Sequence, residues 1–290
     1  MKIDAHHHLW DLQAVHYPWL MATGVERFFG DPTSIQRDYL FSEFRAEAAA
    51  SGFGASVHIQ VGAADGWAEA QYVQAVADAN PDWSLKQVVF CDLTADDAEA
   101  QLDRYQTLST VVGVRQLVAR APWEEVDGGT EQLLANDRFS ARLLELGSRG
   151  LSFDLQLTPE VMLHMAEILY DTPGTPIALC HMGSPHTQVH GGVEGWAEAL
   201  TSLSRLDHVT CKLSGLAMFR QGWTHPDTAQ IVSTCLEQFG ADRCMFGSNF
   251  PVDKIYSAYP DAVEAVRAAV PEADHDAVFG GVAAKFYGFT

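Results

Sequence analysis

Positive charge is what this sequence has least of: 18 Lys and Arg stand against 38 Asp and Glu, for a formal net charge of −20. A nucleic-acid backbone is held by clustered cations, so this shortage argues against nucleic acid as a partner and leaves the charge as a solvated acidic surface. Apolar runs of about 20 residues, the length of a membrane-spanning helix, are missing too, which argues against a membrane partner. The opening MKIDAHHHLW has no charged leader ahead of an apolar stretch and does not read as a secretory signal. Cysteines are few, odd in number and without CxxC spacing. Cys91, Cys180, Cys211, Cys235 and Cys244 therefore read as buried thiols of a cytoplasmic protein, not as disulfides or zinc ligands. No Pro/Gly/Ser-rich linker, charge block or internal repeat divides the chain, so residues 1–290 read as one domain. No GxGxxG follows the first strand candidate, which counts against a Rossmann-like sheet.

Short β-branched apolar runs alternate with longer helical patterns. The strand candidates are 2–5, 55–61, 85–91, 111–117, 151–157, 177–180, 209–213 and 244–247. Helical patterns fall at 67–79, 95–107, 139–149, 159–170, 195–206, 228–239, 260–269 and 275–286. Strands alternating with helices imply parallel pairing through right-handed crossovers. Eight such units in 290 residues predict an α/β fold, a (β/α)8 TIM barrel. Residues 9–39, with Trp10, Trp19, Phe28 and Phe29, read as an elaborated first loop able to roof the barrel mouth.

Active sites of such barrels lie at the C-terminal ends of the strands. The first strand ends in His6-His7-His8, and residues two apart share a face. His6 and His8 are thus expected to point into the mouth and His7 away from it. The other strand ends offer Gln60, Arg115, Gln156, His181, Ser214, and Ser248 with Asn249. Several polar side chains converging on one rim are hard to explain as packing, whereas the remaining histidines are expected to be structural.

The segments IDAHHHLW, VVGVRQL, ALCHMGSP, KLSGL and RCMFGSNFPV resemble those of the amidohydrolase superfamily (amidohydrolase-related family 2), specifically its lactonase branch of fuconolactonase-like and 2-pyrone-4,6-dicarboxylate-lactonase-like enzymes. The motif order matches over nearly the whole chain. The resemblance implies His6, His8 and His181 as site histidines and Arg115 as the holder of a substrate carbonyl or carboxylate. It also implies Arg120 and, by a looser match, Arg220 as further substrate-binding arginines; Gln60, Gln156 and Ser214 are expected beside them from their places at the strand ends.

One departure stands out. The family places an aspartate just after the eighth strand, in a GSDWP-like motif, whereas this chain has Asn249 in GSNFP. An amide is not expected to replace that carboxylate as metal ligand or general base. A carboxylated lysine is also missing, with Gln156 at one of its places. The cofactor expectation is therefore at most one divalent metal, zinc on His6, His8 and His181, or a metal-free site. Asp253 is the carboxylate nearest in sequence to the vacancy, and a turn at Pro251 is able to bring it back over the mouth.

The implied activity is that of a hydrolase opening a small lactone, from a sugar acid or from aromatic catabolism, by water attack at the carbonyl. The alternatives are a metal-dependent decarboxylase of the same superfamily and an inactive barrel that binds a small molecule. A small-molecule substrate is the expected partner, and the chain is compatible with a homo-oligomer.

Overall fold

The computed structural model describes residues 1–121, 129–186, 191–220 and 228–290, the side chain of Arg220 excepted. The strands are β1 (Lys2–His7), β2 (Phe53–Ile59), β3 (Ser84–Val89), β4 (Val111–Val114), β5 (Ser152–Leu155), β6 (Ile177–Leu179), β7 (Val209–Leu213) and β8 (Cys244–Phe246). They form one parallel sheet in sequence order. Just beyond β8 the sheet meets β1 again: Asn249 N–H donates to the His6 carbonyl at 2.7 Å and His8 N–H to the Phe250 carbonyl at 2.7 Å. The architecture is the expected (β/α)8 barrel.

Two apolar layers follow from the alternation of side chains along the strands. Ile3, Ala5, Ala55, Val57, Ile59, Val88, Ala178 and Met245 form an inner cluster, closed by Val282, Ala283 and Tyr287 of the C-terminal helix Val282–Tyr287. The larger cluster lies between the strands and the surrounding helices. All five cysteines are free and buried, Cys91, Cys211, Cys235 and Cys244 in the larger cluster and Cys180 beside Asp154. Among the described residues, no helix is long and apolar enough to cross a membrane.

Several elements differ from the sequence expectation. Helix Phe41–Ala50, unforeseen, fills the first crossover, its FSEFRAEAAA burying Phe41, Phe44 and Ala48. The expected loop 9–39 contains a short helix, Pro18–Met21, and a 3₁₀ turn, Thr33–Ile35. The expected helix 275–286 begins as a π-helical stretch, Ala277–Gly281, and becomes α-helical at Val282. Most strands stop short of their apolar runs, which leaves Gln60, Arg115 and Gln156 one residue beyond β2, β4 and β5.

Candidate active site

Residues following all eight strands line one cavity of about 590 Å³. Its position depends on an irregularity in β1. Asp4 pairs with Ser56 and His7 with His58, so three steps on β1 oppose two on β2, which is a β-bulge. Ala5 belongs to the inner cluster, while Asp4 turns to the helix layer and accepts from Tyr259 Oη at 2.9 Å. Strict alternation would send His6 the way of Asp4. Across the bulge, His6 instead joins the inside: its ring lies 5.1 Å from that of His8 and 4.4 Å from that of His181. His7 faces out and stacks on Phe44 at 3.7 Å.

His8 is wired on both sides. Its Nδ1–H donates to the Ile59 carbonyl at 2.7 Å, and its Nε2 lies 3.2 Å from Asn249 Oδ1. Asn249 is held in turn by Nδ2, which donates to Asp253 Oδ1 at 2.8 Å. The other oxygen of Asp253 accepts from Ala217 N–H at 3.4 Å. Asp253 is fully buried against this amide and is not among the described residues lining the cavity, whereas Asn249 is.

His181 and Asn249 both adopt left-handed backbone conformations, with φ of 54° and 57°. Non-glycine residues rarely do so, and such strain concentrates where a side chain must be aimed. The turn at His181 is pinned by Trp196 Nε1–H, which donates to the Met182 carbonyl at 2.8 Å. Nδ1 of His181 bonds Ser214 Oγ at 3.0 Å, which leaves Nε2 for the cavity. Two glycines make room for these rings. A Cβ on Gly215, whose φ is +70°, would stand 2.3 Å from His181 Nδ1, and one on Gly247 would stand 2.6 Å from His6 Cβ.

Arg115 is buried beneath the cavity. It donates through Nη2 to the Gln60 carbonyl and through Nη1 to Gln156 Oε1 at 3.2 Å. Gln60 Nε2 returns a bond to the Arg115 carbonyl at 3.2 Å. Gln60, Gln156 and Arg120 line the same cavity; Ser214 does not, and reaches it through His181. The side chain of Arg220 lies outside the described residues.

The long first loop supplies the roof. Trp19, Arg27, Phe28 and Phe29 all line the cavity. Trp19, Phe28 and Phe29 were legible as a roof, whereas Trp10 is fully buried away from the cavity with its Nε1–H donating to the Arg37 carbonyl, and nothing local marked Arg27. The tertiary fold also reveals a buried group beneath the three histidines. Lys212 on β7 contacts Asp154 on β5, which also accepts from Tyr287 Oη at 2.9 and 3.2 Å. Among the described residues, the His, Cys and carboxylate donors lying within 4.8 Å of one another are those of His6, Asp154 and Cys180; the three histidines form no such group. The Lys212 ammonium already balances that carboxylate, so this deeper cluster is not a vacant cation site.

Electrostatics keep the rings neutral. Burial, reinforced by Arg115, pushes His8 and His181 well below the ordinary imidazole value, and burial with His181 and Lys212 nearby does the same for His6. Neutral imidazoles present lone pairs, and both ring nitrogens of His6 are buried without a hydrogen-bond partner. Neutral imidazoles are the right kind of donor for one divalent cation, but the nitrogens of His6, His8 and His181 do not all lie within 4.8 Å of one another as the rings are placed.

A family model described as Amidohydrolase matches residues 3–289. A protein of Sinorhizobium fredii, described as uncharacterized protein y4mH, is 34% identical over 98% of this chain and 97% of its own length. The L-fucono-1,5-lactonase of Burkholderia multivorans is 29% identical, covering 99% of this chain and 96% of that protein. A crystal structure of an amidohydrolase from Burkholderia multivorans with bound zinc superposes with a TM-score of 0.84 at 23% identity, covering 100% of both chains.

Proposed function

We propose that this protein, which belongs to the amidohydrolase family, is a hydrolase that opens a small lactone by water attack at the ring carbonyl. The observation that supports the reading best is a buried guanidinium facing the same cavity as buried neutral imidazoles: Arg115 beside His8 and His181. The 29%-identical lactonase agrees with it. A guanidinium held by amide and carbonyl oxygens, with no carboxylate in ion-pair contact among the described residues, is free to stabilise the oxyanion that forms when water adds to an ester carbonyl.

Each remaining part has an assigned task. With Nδ1 on Ser214, His181 offers Nε2 to take a proton from the attacking water and return it to the ring oxygen as the C–O bond breaks. His8 and Asn249 orient the water, and Asp253 fixes the amide of Asn249. Gln60 and Gln156 hold Arg115, and Arg120 completes the binding wall. In the alternative in which His6, His8 and His181 would hold a single zinc ion supplying Lewis acidity toward the carbonyl oxygen, Nε2 of His181 would be a ligand and not the base.

The test is turnover, followed with a pH indicator, over a panel of aldonolactones and pyrone or muconolactone carboxylates. Lactone hydrolysis releases acid, and Arg115→Lys is expected to lose about 10²-fold or more in kcat/KM, because one ammonium does not reproduce the planar fork. Release of carbon dioxide from aromatic acids, with no acid produced from any lactone, would replace this reading by decarboxylation.

A further inference from the structure

The roof of the cavity carries a cation that the hydrolytic chemistry does not use. Arg27 sits on the tight turn 27–30, closed by reciprocal backbone bonds between Arg27 and Gly30 at 3.0 and 2.9 Å. Tyr256 Oη–H donates to the Phe29 carbonyl at 2.6 Å, and Phe28 packs on Phe219 at 6.0 Å, so the turn is fastened to the segments that follow β8 and β7. Arg27 is presented by a fixed piece of backbone.

Its guanidinium is only partly satisfied. Nη2–H donates to the Trp19 carbonyl at 3.2 Å and the plane lies 5.7 Å from the Trp19 ring. Nε is buried with no hydrogen-bond partner. Several surface arginines of this acidic chain pair with carboxylates, Arg37 with Glu43, Arg45 with Asp82, and Arg149 with Asp103 and Glu145, while exposed Arg104 lies over the Trp67 ring instead. Arg27 and Arg115 have no such partner among the described residues. Asp92 is the single acidic residue among the described ones lining the cavity, and its Oδ1 already accepts from Thr94 and Gln116. Among the described residues lining the cavity, Arg27 and Arg115 thus stand without a carboxylate in a chain of net charge −20. A partly desolvated guanidinium with unused donors gains most from a carboxylate, which accepts from its planar edge.

We infer that Arg27 is a specificity-determining residue that binds a carboxylate carried by the substrate at a position away from the reacting carbonyl. This rests on the lactonase reading and narrows it: the preferred substrate is a carboxylated lactone, and a neutral sugar lactone is the poorer one. Arg115 takes the reacting carbonyl from below while Arg27 takes the ring substituent from the roof.

Calorimetric binding of stable ligands tests this without turnover. Isophthalate, with two carboxylates on a flat ring, is compared with benzoate, which has one. Wild-type protein should bind isophthalate at least tenfold more tightly. Arg27→Gln should weaken isophthalate by 10- to 100-fold and leave benzoate within about threefold. Arg27→Met keeps the apolar stem against Trp19 while removing the charge, and should behave the same way. If both variants fail to fold, the wild-type comparison still decides, since equal affinity for the two ligands overturns the inference. Unchanged isophthalate binding in either folded variant overturns it as well. Tight, Arg27-dependent isophthalate binding in a protein that opens no lactone would sink the lactonase reading and leave the carboxylate site standing. Turnover of neutral lactones at the same kcat/KM as carboxylated ones would sink this inference and leave the lactonase standing.

Discussion

His8 Nε2 and Asn249 Oδ1 face each other at 3.2 Å. The Ile59 carbonyl only accepts, so the ring hydrogen is on Nδ1, and burial beside Arg115 keeps a second one off Nε2. The amide cannot turn over to donate without setting its own oxygen against the Asp253 carboxylate. Two lone pairs are thus held together by Asp253, an arrangement a cation or a water hydrogen relieves. It also gives Asn249 a use that a comparison of side-chain acidities overlooks: an amide oxygen ligates hard cations and accepts from water.

Asn249→Ala should therefore lower kcat/KM by about 10²-fold or more. Asp253→Asn, which loosens the amide without touching the cavity, should cost about tenfold, with a smaller loss of stability. The measurement is steady-state kinetics on the best lactone of the panel together with thermal melts. Asp253→Asn as damaging as Asn249→Ala, with an intact fold, would return proton transfer to Asp253.

Gly215 offers a separate check on His181. Adding a methyl group there both strains a left-handed backbone and collides with Nδ1 of the ring. Gly215→Ala is expected to fold with reduced stability and to lose at least tenfold in kcat while changing KM little. Wild-type kcat would show that the exact setting of His181 is immaterial.

Lys212 and Asp154 are both fully buried, so deleting one leaves the other charged in the barrel interior. Lys212→Met should cost about 3–5 kcal/mol in urea unfolding, and adding Asp154→Leu should recover much of that loss. A single variant as stable as the wild type would mean that water reaches the pair.

The stability profile should fall on the acid side. His6, His7, His8 and His181 all have folded-state values depressed by burial below the ordinary 6.5, so only the unfolded chain takes up their protons. Their contribution is complete above that value and is lost as pH falls through it, at about 1.4 kcal/mol per proton per pH unit. Asp4 acts in the opposite sense. Burial raises it from 3.8 to about 6, so its contribution is present below the ordinary value and lost as pH rises through about 6. Four groups against one predict a net loss between pH 7 and pH 5 in metal-free protein, measured by urea melts at each pH. Constant stability across that interval would refute the neutral-histidine picture.

Local pattern was enough to read the eight strand–helix units, because alternation of apolar runs and the spacing of helical faces are written in neighbouring residues. The strand-end residues His8, Arg115 and His181 were legible for the same reason, since a barrel aims one end of every strand at one mouth. Helix Phe41–Ala50 escaped because an alanine-rich run with two large apolar residues carries little contrast between its faces. The reach of Asp253 depended on a turn whose direction no spacing gives, and it turned to Asn249. Parity alone would have put Asp4 on the side of His6 and His8; the bulge in β1, set by pairing with β2, separated them. Lys212 met Asp154, and Arg27 came over Arg115, only because distant segments were folded onto one axis. A sequence determines what each residue offers and how neighbours alternate. Which buried charge finds a partner, and which does not, is decided by packing between segments far apart in the chain.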